Sequence, residues 1–121
     1  MNIVNWIEIP VNDLENAKGF YQKVFGFEMT DMDMGEAKMA MFPWKEGEGG
    51  TTGALIQGAP YKPTKDGSVV YISVESIEDT LAKIDEHGGK MLVPKMSIGQ
   101  HGWVAQFEDC EGNRVALHSN N

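Results

Sequence analysis

The chain is poor in several things, and each shortage removes a class of function. One cysteine, Cys110, in 121 residues excludes an intrachain disulfide and fits a reducing cytoplasm, where the chain is expected to reside. Basic residues are few: 10 Lys plus Arg stand against 18 Asp plus Glu, a formal net charge of −8. Nothing supplies the basic footprint that nucleic-acid backbones or anionic membranes require, so neither is an expected partner. No apolar run approaches the roughly 20 residues of a membrane helix. The opening Met-Asn-Ile-Val-Asn-Trp-Ile-Glu has no positive n-region and is interrupted by Glu8, so no secretory signal is expected. Gly47, Gly49 and Gly50 precede a strand and not a helix, which rules out a phosphate loop. There is no Gly-x-Ser-x-Gly, and Cys110 lacks a context that would mark it as a nucleophile.

What is present is a folded composition, 41% hydrophobic and 23% charged, and an internal repeat. A shift of 63 positions lays Val11-Asn-Asp-Leu-Glu15 on Val74-Glu-Ser-Ile-Glu78, Gly26 on Gly89, and Ile7, Ile9, Val11 on Val70, Ile72, Val74. One domain of two related halves is expected, residues 1–57 and 68–121, joined by a Pro- and Gly-containing linker at 58–67 that reads as the most mobile segment. A duplicated unit brings equivalent strands together about a pseudo-two-fold axis. The space between the two sheets is a natural place for a small ligand.

Within each half the pattern reads strand, helix, then three strands. Residues 2–9 alternate with Ile3, Ile7 and Ile9 on one side and Val4, Trp6 and Glu8 on the other. Asp13 is placed to cap a helix carrying Leu14, Ala17, Phe20, Tyr21, Val24 and Phe25 at helical spacing, which Gly26 ends. Strands are predicted near 27–33, 36–43 with a Met34-Gly35 turn, and 51–57. The second half repeats this with a strand at 68–74, a Ser76/Asp79 capping box, and a helix whose buried face is Ile77, Leu81 and Ile84 and which Gly88-Gly89 ends. Strands at 90–95, 102–108 and 113–118 follow, the last two joined by Asp109-Cys-Glu-Gly-Asn113. The fold class is α+β: tandem βαβββ repeats forming curved mixed sheets with helices on the outer face.

Two of these segments carry a family resemblance. Val11-Asn-Asp-Leu-Glu-Asn-Ala-Lys-Gly-Phe-Tyr-Gln-Lys-Val-Phe-Gly26 resembles the first strand–helix signature of the vicinal oxygen chelate superfamily, which includes glyoxalase I, extradiol dioxygenases, and fosfomycin- and bleomycin-resistance proteins. Phe107-Glu-Asp-Cys-Glu-Gly-Asn-Arg-Val-Ala-Leu-His118 resembles its closing hairpin, with Cys110 where proline is usual. The resemblance implies a homodimer, and metal ligands at Trp6, Ala54, Val69 and Ala116 in the metal-dependent members. None of these four side chains can coordinate a divalent cation, so no metal or other cofactor is expected.

Alternation then names the residues that share the inward face: Trp6 with Glu8, Val69 with Tyr71, and Ala116 with His118. Glu8, flanked by Trp6, Ile7 and Ile9, is the carboxylate costliest to bury; an ion pair at a dimer interface would explain it equally. His118 suits a proton carrier, or is simply a histidine near the chain end. Trp103 and Met41 join the candidate ligand-lining set with Trp6, Glu8, Tyr71 and His118. Indole rings stack on planar ligands and methionines adapt to varied ones, although tryptophans and the cluster of Met29, Met32, Met34, Met39 and Met41 are as readily core or interface. The expected function is metal-free binding of a small organic ligand. Two alternatives stand beside it: a lyase, isomerase or dioxygenase-type enzyme using Glu8 with His118 or Tyr71, with or without a non-standard metal site, and an interaction subunit with a filled cavity.

Overall fold

The computed structural model describes residues 3–121. Each half contributes one four-stranded sheet, and the two have the same topology. The first holds β1 (Trp6–Pro10), β2 (Thr30–Met34), β3 (Ala37–Met41) and β4 (Thr52–Gln57) in the order β1-β4-β3-β2. The second holds β5 (Tyr71–Ser73), β6 (Lys90–Ser97), β7 (Trp103–Glu108) and β8 (Arg114–Ser119) in the order β5-β8-β7-β6. The first strand of each half pairs parallel with the last, β1 with β4 and β5 with β8, because a helix carries the chain across between them. The sequence repeat is thus an architectural one.

The helices start and stop where the sequence places them. Asp13 caps α1 (Leu14–Phe25) by accepting the Asn16 N–H at 3.1 Å, and Gly26 ends it in the left-handed region at φ 73°. Ser76 caps α2 (Ile77–Glu86) by accepting the Asp79 N–H at 3.1 Å. Leu14, Ala17, Phe20, Tyr21 and Val24 of α1 and Ile77 and Ile84 of α2 enter one core, together with Ile9, Leu55, Phe107, Val115 and Leu117 from both sheets. Burial of that apolar surface is what joins the halves, since the two sheets share no ladder.

Several strand boundaries move from their expected positions. The expected start of β1 at residue 2 lies outside the described residues, and β1 begins at Trp6, where its partner Thr52 begins; Ile3 is 97% exposed. β2 begins at Thr30, because the Met29 N–H is spent on the Gln22 side chain. The hairpin turn is Gly35-Glu36, with Met34 still in β2 and Gly35 at φ 76°. β5 shrinks to three residues, flanked by single bonds from Ala116 N–H to the Val70 carbonyl and from Val74 N–H to the His118 carbonyl. β6 runs on to Ser97, with register shifts on either side of Val93; Pro94, which has no N–H, falls in the second on this edge strand.

The linker is tied down, contrary to its expected mobility. Tyr61 packs against Met39, Ala54 and Ile56. The Thr64 N–H donates to Asn113 Oδ1 at 3.0 Å, Arg114 Nε donates to the Lys65 carbonyl at 3.1 Å, and Lys65 Nζ lies 3.5 Å from Glu108.

The turn Asp109–Asn113 is the polar lock between the halves. Asp109 is 2% exposed, and its carboxylate accepts from the N–H groups of Glu111 and Asn113 on one oxygen and from Tyr21 Oη (2.7 Å) and Asn113 Nδ2 on the other. Asn113 Nδ2 also donates to the Pro10 carbonyl at 2.7 Å, at the end of β1. Glu111 accepts the N–H groups of Asn12 and Asp13 and the Asn16 amide, and so anchors the start of α1 from the other half. Burial, then the neighbouring carboxylate, push the Tyr21 phenol well above its ordinary pKa, so at neutral pH it is a committed donor. Tyr21→Phe removes that donor from a buried carboxylate and is expected to lower stability by about 1–3 kcal/mol, read as a lower urea midpoint with an unchanged slope.

Candidate functional site

The edge strands β1 and β5 face each other without hydrogen bonds, and the gap between them is a cleft of about 350 Å3. Ile7 and Ile9 form one wall, Val70 and Ile72 the other, with Phe27 and Phe42 beside them and Thr51, Thr52 and Ser73 among the polar lining. Alternation explains the lining: Ile7 and Ile9 point to the α1 side, away from Trp6 and Glu8. The lining is predominantly apolar with a few hydroxyls, the composition of a small-molecule site.

Phe27 and Phe42 belong to an aromatic row that holds their rings in place. Tyr21 and Phe25 stack with centroids 5.8 Å apart, Phe25 and Phe27 stack at 5.8 Å, and Phe42 meets Phe27 edge-on at 5.9 Å. Gly53 fits against β1 so closely that a Cβ there would lie 2.0 Å from the Ile7 carbonyl oxygen, so this position requires glycine.

The sequence-derived candidates distribute over three places. Trp6, Glu8 and Met41 share the face of the first sheet turned away from α1: Glu8 pairs with Ala54 and Ala54 with Met41, and Trp6 Nε1 donates to Glu8 Oε2 at 3.2 Å. Glu8 is exposed, so the expected cost of burying its carboxylate does not arise in the single chain. Tyr71 and His118 share the corresponding face of the second sheet, and Tyr71, 53% exposed, also reaches the seam cleft. His118 is half-buried within β8, not loose at the chain end, and its Nε2 donates to the His101 carbonyl at 2.7 Å. Because a carbonyl only accepts, that bond requires the proton on Nε2.

Trp103 is on the other side altogether. It pairs with Ser119 while His118 pairs with Val104, so the pleat turns it toward α2, where Lys95 Nζ lies 4.7 Å over its ring and also bonds Glu78. Trp44 is 62% exposed in the loop between β3 and β4. The candidates are therefore not gathered into one cavity. The residues of the seam that sequence reasoning passed over, Ile7, Ile9, Val70 and Ile72, look in sequence like ordinary core, and only the missing ladder between β1 and β5 reveals that they line a gap.

The register shows what stands beside two of the metal positions implied by the resemblance, Ala54 and Ala116. Ala54 stands beside Glu8 and Ala116 beside Tyr71. The set at one level is thus Glu8, Ala54, Tyr71 and Ala116, one carboxylate and one phenol between two methyl groups. That donor set does not fit a divalent cation, and among the described residues no group of three or more His, Cys, Asp or Glu is placed to hold one.

Cys110 stands in the lock, half-buried, with Asn16 Nδ2 at 3.5 Å. Burial first, then the charges of Asp109 and Glu111, push its thiol up to about 12, the opposite of an activated nucleophile. Iodoacetamide at pH 8 is expected to alkylate the native protein far more slowly than the urea-unfolded chain; equal rates would contradict this placement.

The profile of the Glyoxalase/Bleomycin resistance protein/Dioxygenase superfamily matches residues 3–117. A glyoxylase-like domain-containing protein of Didymella fabae is 31% identical over 118 residues, covering 94% of this chain and 91% of that protein. Among solved structures, TnmS3, an antibiotic binding protein from Streptomyces sp. CB03234, superposes over 100% of this chain and 98% of its own with a TM-score of 0.72 at 23% identity. Glyoxalase I from Zea mays superposes over 95% of this chain with a TM-score of 0.67 at 23% identity, but this chain spans only 45% of its length. At such identities the structural likenesses speak to the fold.

Proposed function

Because the chain belongs to the Glyoxalase/Bleomycin resistance protein/Dioxygenase superfamily, we propose that it is a metal-free member that binds a small organic molecule in the cleft between β1 and β5. The observation that carries this reading is the cleft itself, about 350 Å3 of mostly apolar wall at the join of the two halves. The Glu8, Ala54, Tyr71, Ala116 set supports the metal-free part, since two methyl groups stand at the level where ligands would be needed. A filled interaction subunit would have no use for such a gap.

The protein acts in the cytoplasm as a homodimer in this reading. Trp6, Met32 and Met34 are exposed on the face of the first sheet turned away from α1, an apolar surface suited to a second copy. A second reading, an enzyme, draws on the polar groups of the faces turned away from the helices: Glu8 as base, held by the Trp6 indole, with Tyr71 or His118 as its partner, the His118 ring oriented by the His101 carbonyl.

Binding of the neutral fluorescent probe Nile red separates these sites. Val70→Trp fills the cleft and Thr51→Trp blocks its mouth; each is expected to weaken binding by tenfold or more, an effect of about 1.4 kcal/mol. Trp6→Ala and Glu8→Gln are expected to bind as the parent does, with thermal melts confirming that all four variants fold. Loss of binding in Trp6→Ala or Glu8→Gln, with Val70→Trp unaffected, would move the ligand to the face turned away from α1. Elemental analysis finding one transition metal per chain, lost in Glu8→Gln, would overturn the metal-free reading.

A further inference from the structure

We propose that the seam cleft continues into a second, polar compartment, and that its occupant is an elongated amphiphile with an apolar body and a protonated amine at one end. This deepens the reading above and rests on the seam cleft being the ligand site. Next to the cleft lies a recess of about 380 Å3 between the end of α1 and the start of α2. Phe27, Ile72 and Ser73 line both spaces, so the two meet at these side chains.

The aromatic row forms a common floor. Phe42 borders only the first space, Phe27 both, and Phe25, stacked on Phe27 at an interplanar angle of 9°, only the second. A molecule lying along this floor keeps apolar contact from one space into the other. Its far end then meets a different environment: Glu75, Ser76, Asp79, Thr80 and Lys83.

The charge of that end selects the head group. Two carboxylates, Glu75 and Asp79, face one ammonium, Lys83, and none of the three takes part in an ion pair among the described residues. The start of α2 would favour an anion, but its Asp79 N–H is already taken by the capping serine and Asp79 itself places a carboxylate there. Asp79 N–H donates to Ser76 Oγ at 3.1 Å, and Thr80 N–H makes the first bond of the helix, to the Ser76 carbonyl, at 3.1 Å. An anionic head would meet two carboxylates against one ammonium. A cationic head gains both carboxylates, and the chain's net charge of −8 attracts cations from a distance.

The test uses three probes with one tail and three heads: n-decylammonium, n-decanol and n-decanoate, titrated calorimetrically below their aggregation concentrations. The ammonium is expected to bind about three- to tenfold tighter than the alcohol, and the carboxylate most weakly, the modest range reflecting exposed charges. The double variant Glu75→Gln/Asp79→Asn removes the ammonium's advantage, Lys83→Gln enlarges it, and Phe27→Ala weakens all three probes together. Equal binding of the three heads, or preference for the carboxylate, overturns the inference while leaving the seam site standing. If no probe binds and Val70→Trp changes nothing, the seam site itself falls.

Discussion

Two four-stranded sheets that share no hydrogen bond have to be held in register by something other than a ladder. One buried carboxylate supplies the directional part of that. Asp109 gathers Tyr21 from α1, its own turn's N–H groups, and Asn113, which reaches on to Pro10 at the end of β1. The apolar core is non-directional and would tolerate the halves sliding on one another, whereas a buried carboxylate with four donors tolerates very little displacement before one is lost. The lock therefore sets where β5 lies relative to β1, and with it the width of the seam.

A functional consequence follows from leaving that seam unpaired. Had β1 and β5 formed a ladder about 4.8 Å apart, Ile7, Ile9, Val70 and Ile72 would be closed core. Held further apart, the same four side chains line a cleft, and the aromatic row beneath them provides a firm floor. The cleft that results has apolar walls and a few hydroxyls. The superfamily includes members of very different activities on one scaffold, so the site and not the fold has to carry the functional reading.

Much of the architecture was legible in the sequence because local rules and global packing agree there. Asp13, Gly26 and Ser76 act as the caps their positions promise, the Asp109–Asn113 segment is the expected turn, and the 63-residue repeat emerges as two sheets of one topology. What was not legible depends on partners distant in sequence. β1 starts late because β4 does, β5 shrinks because its outer side has no partner, and the linker is fixed by Asn113 and Arg114. For the site, alternation put Trp6 with Glu8 and Ala116 with His118, pairs that do share a face, but it could not say which face meets a cavity. Trp103 fell on the α2 side, because register is a property of the pairing and not of either strand.

The most direct test of this account is methyl NMR on protein labelled at Ile, Val and Met methyl groups, titrated with a small neutral apolar ligand such as indole. The seam contains isoleucines and valine and no methionine, whereas the face of the first sheet turned away from α1 carries Met32, Met34, Met39 and Met41. The account predicts saturable shifts at Ile7, Ile9, Val70 and Ile72 with the methionine signals unmoved. Shifts confined to Met39 and Met41, with the four seam residues silent, would contradict it.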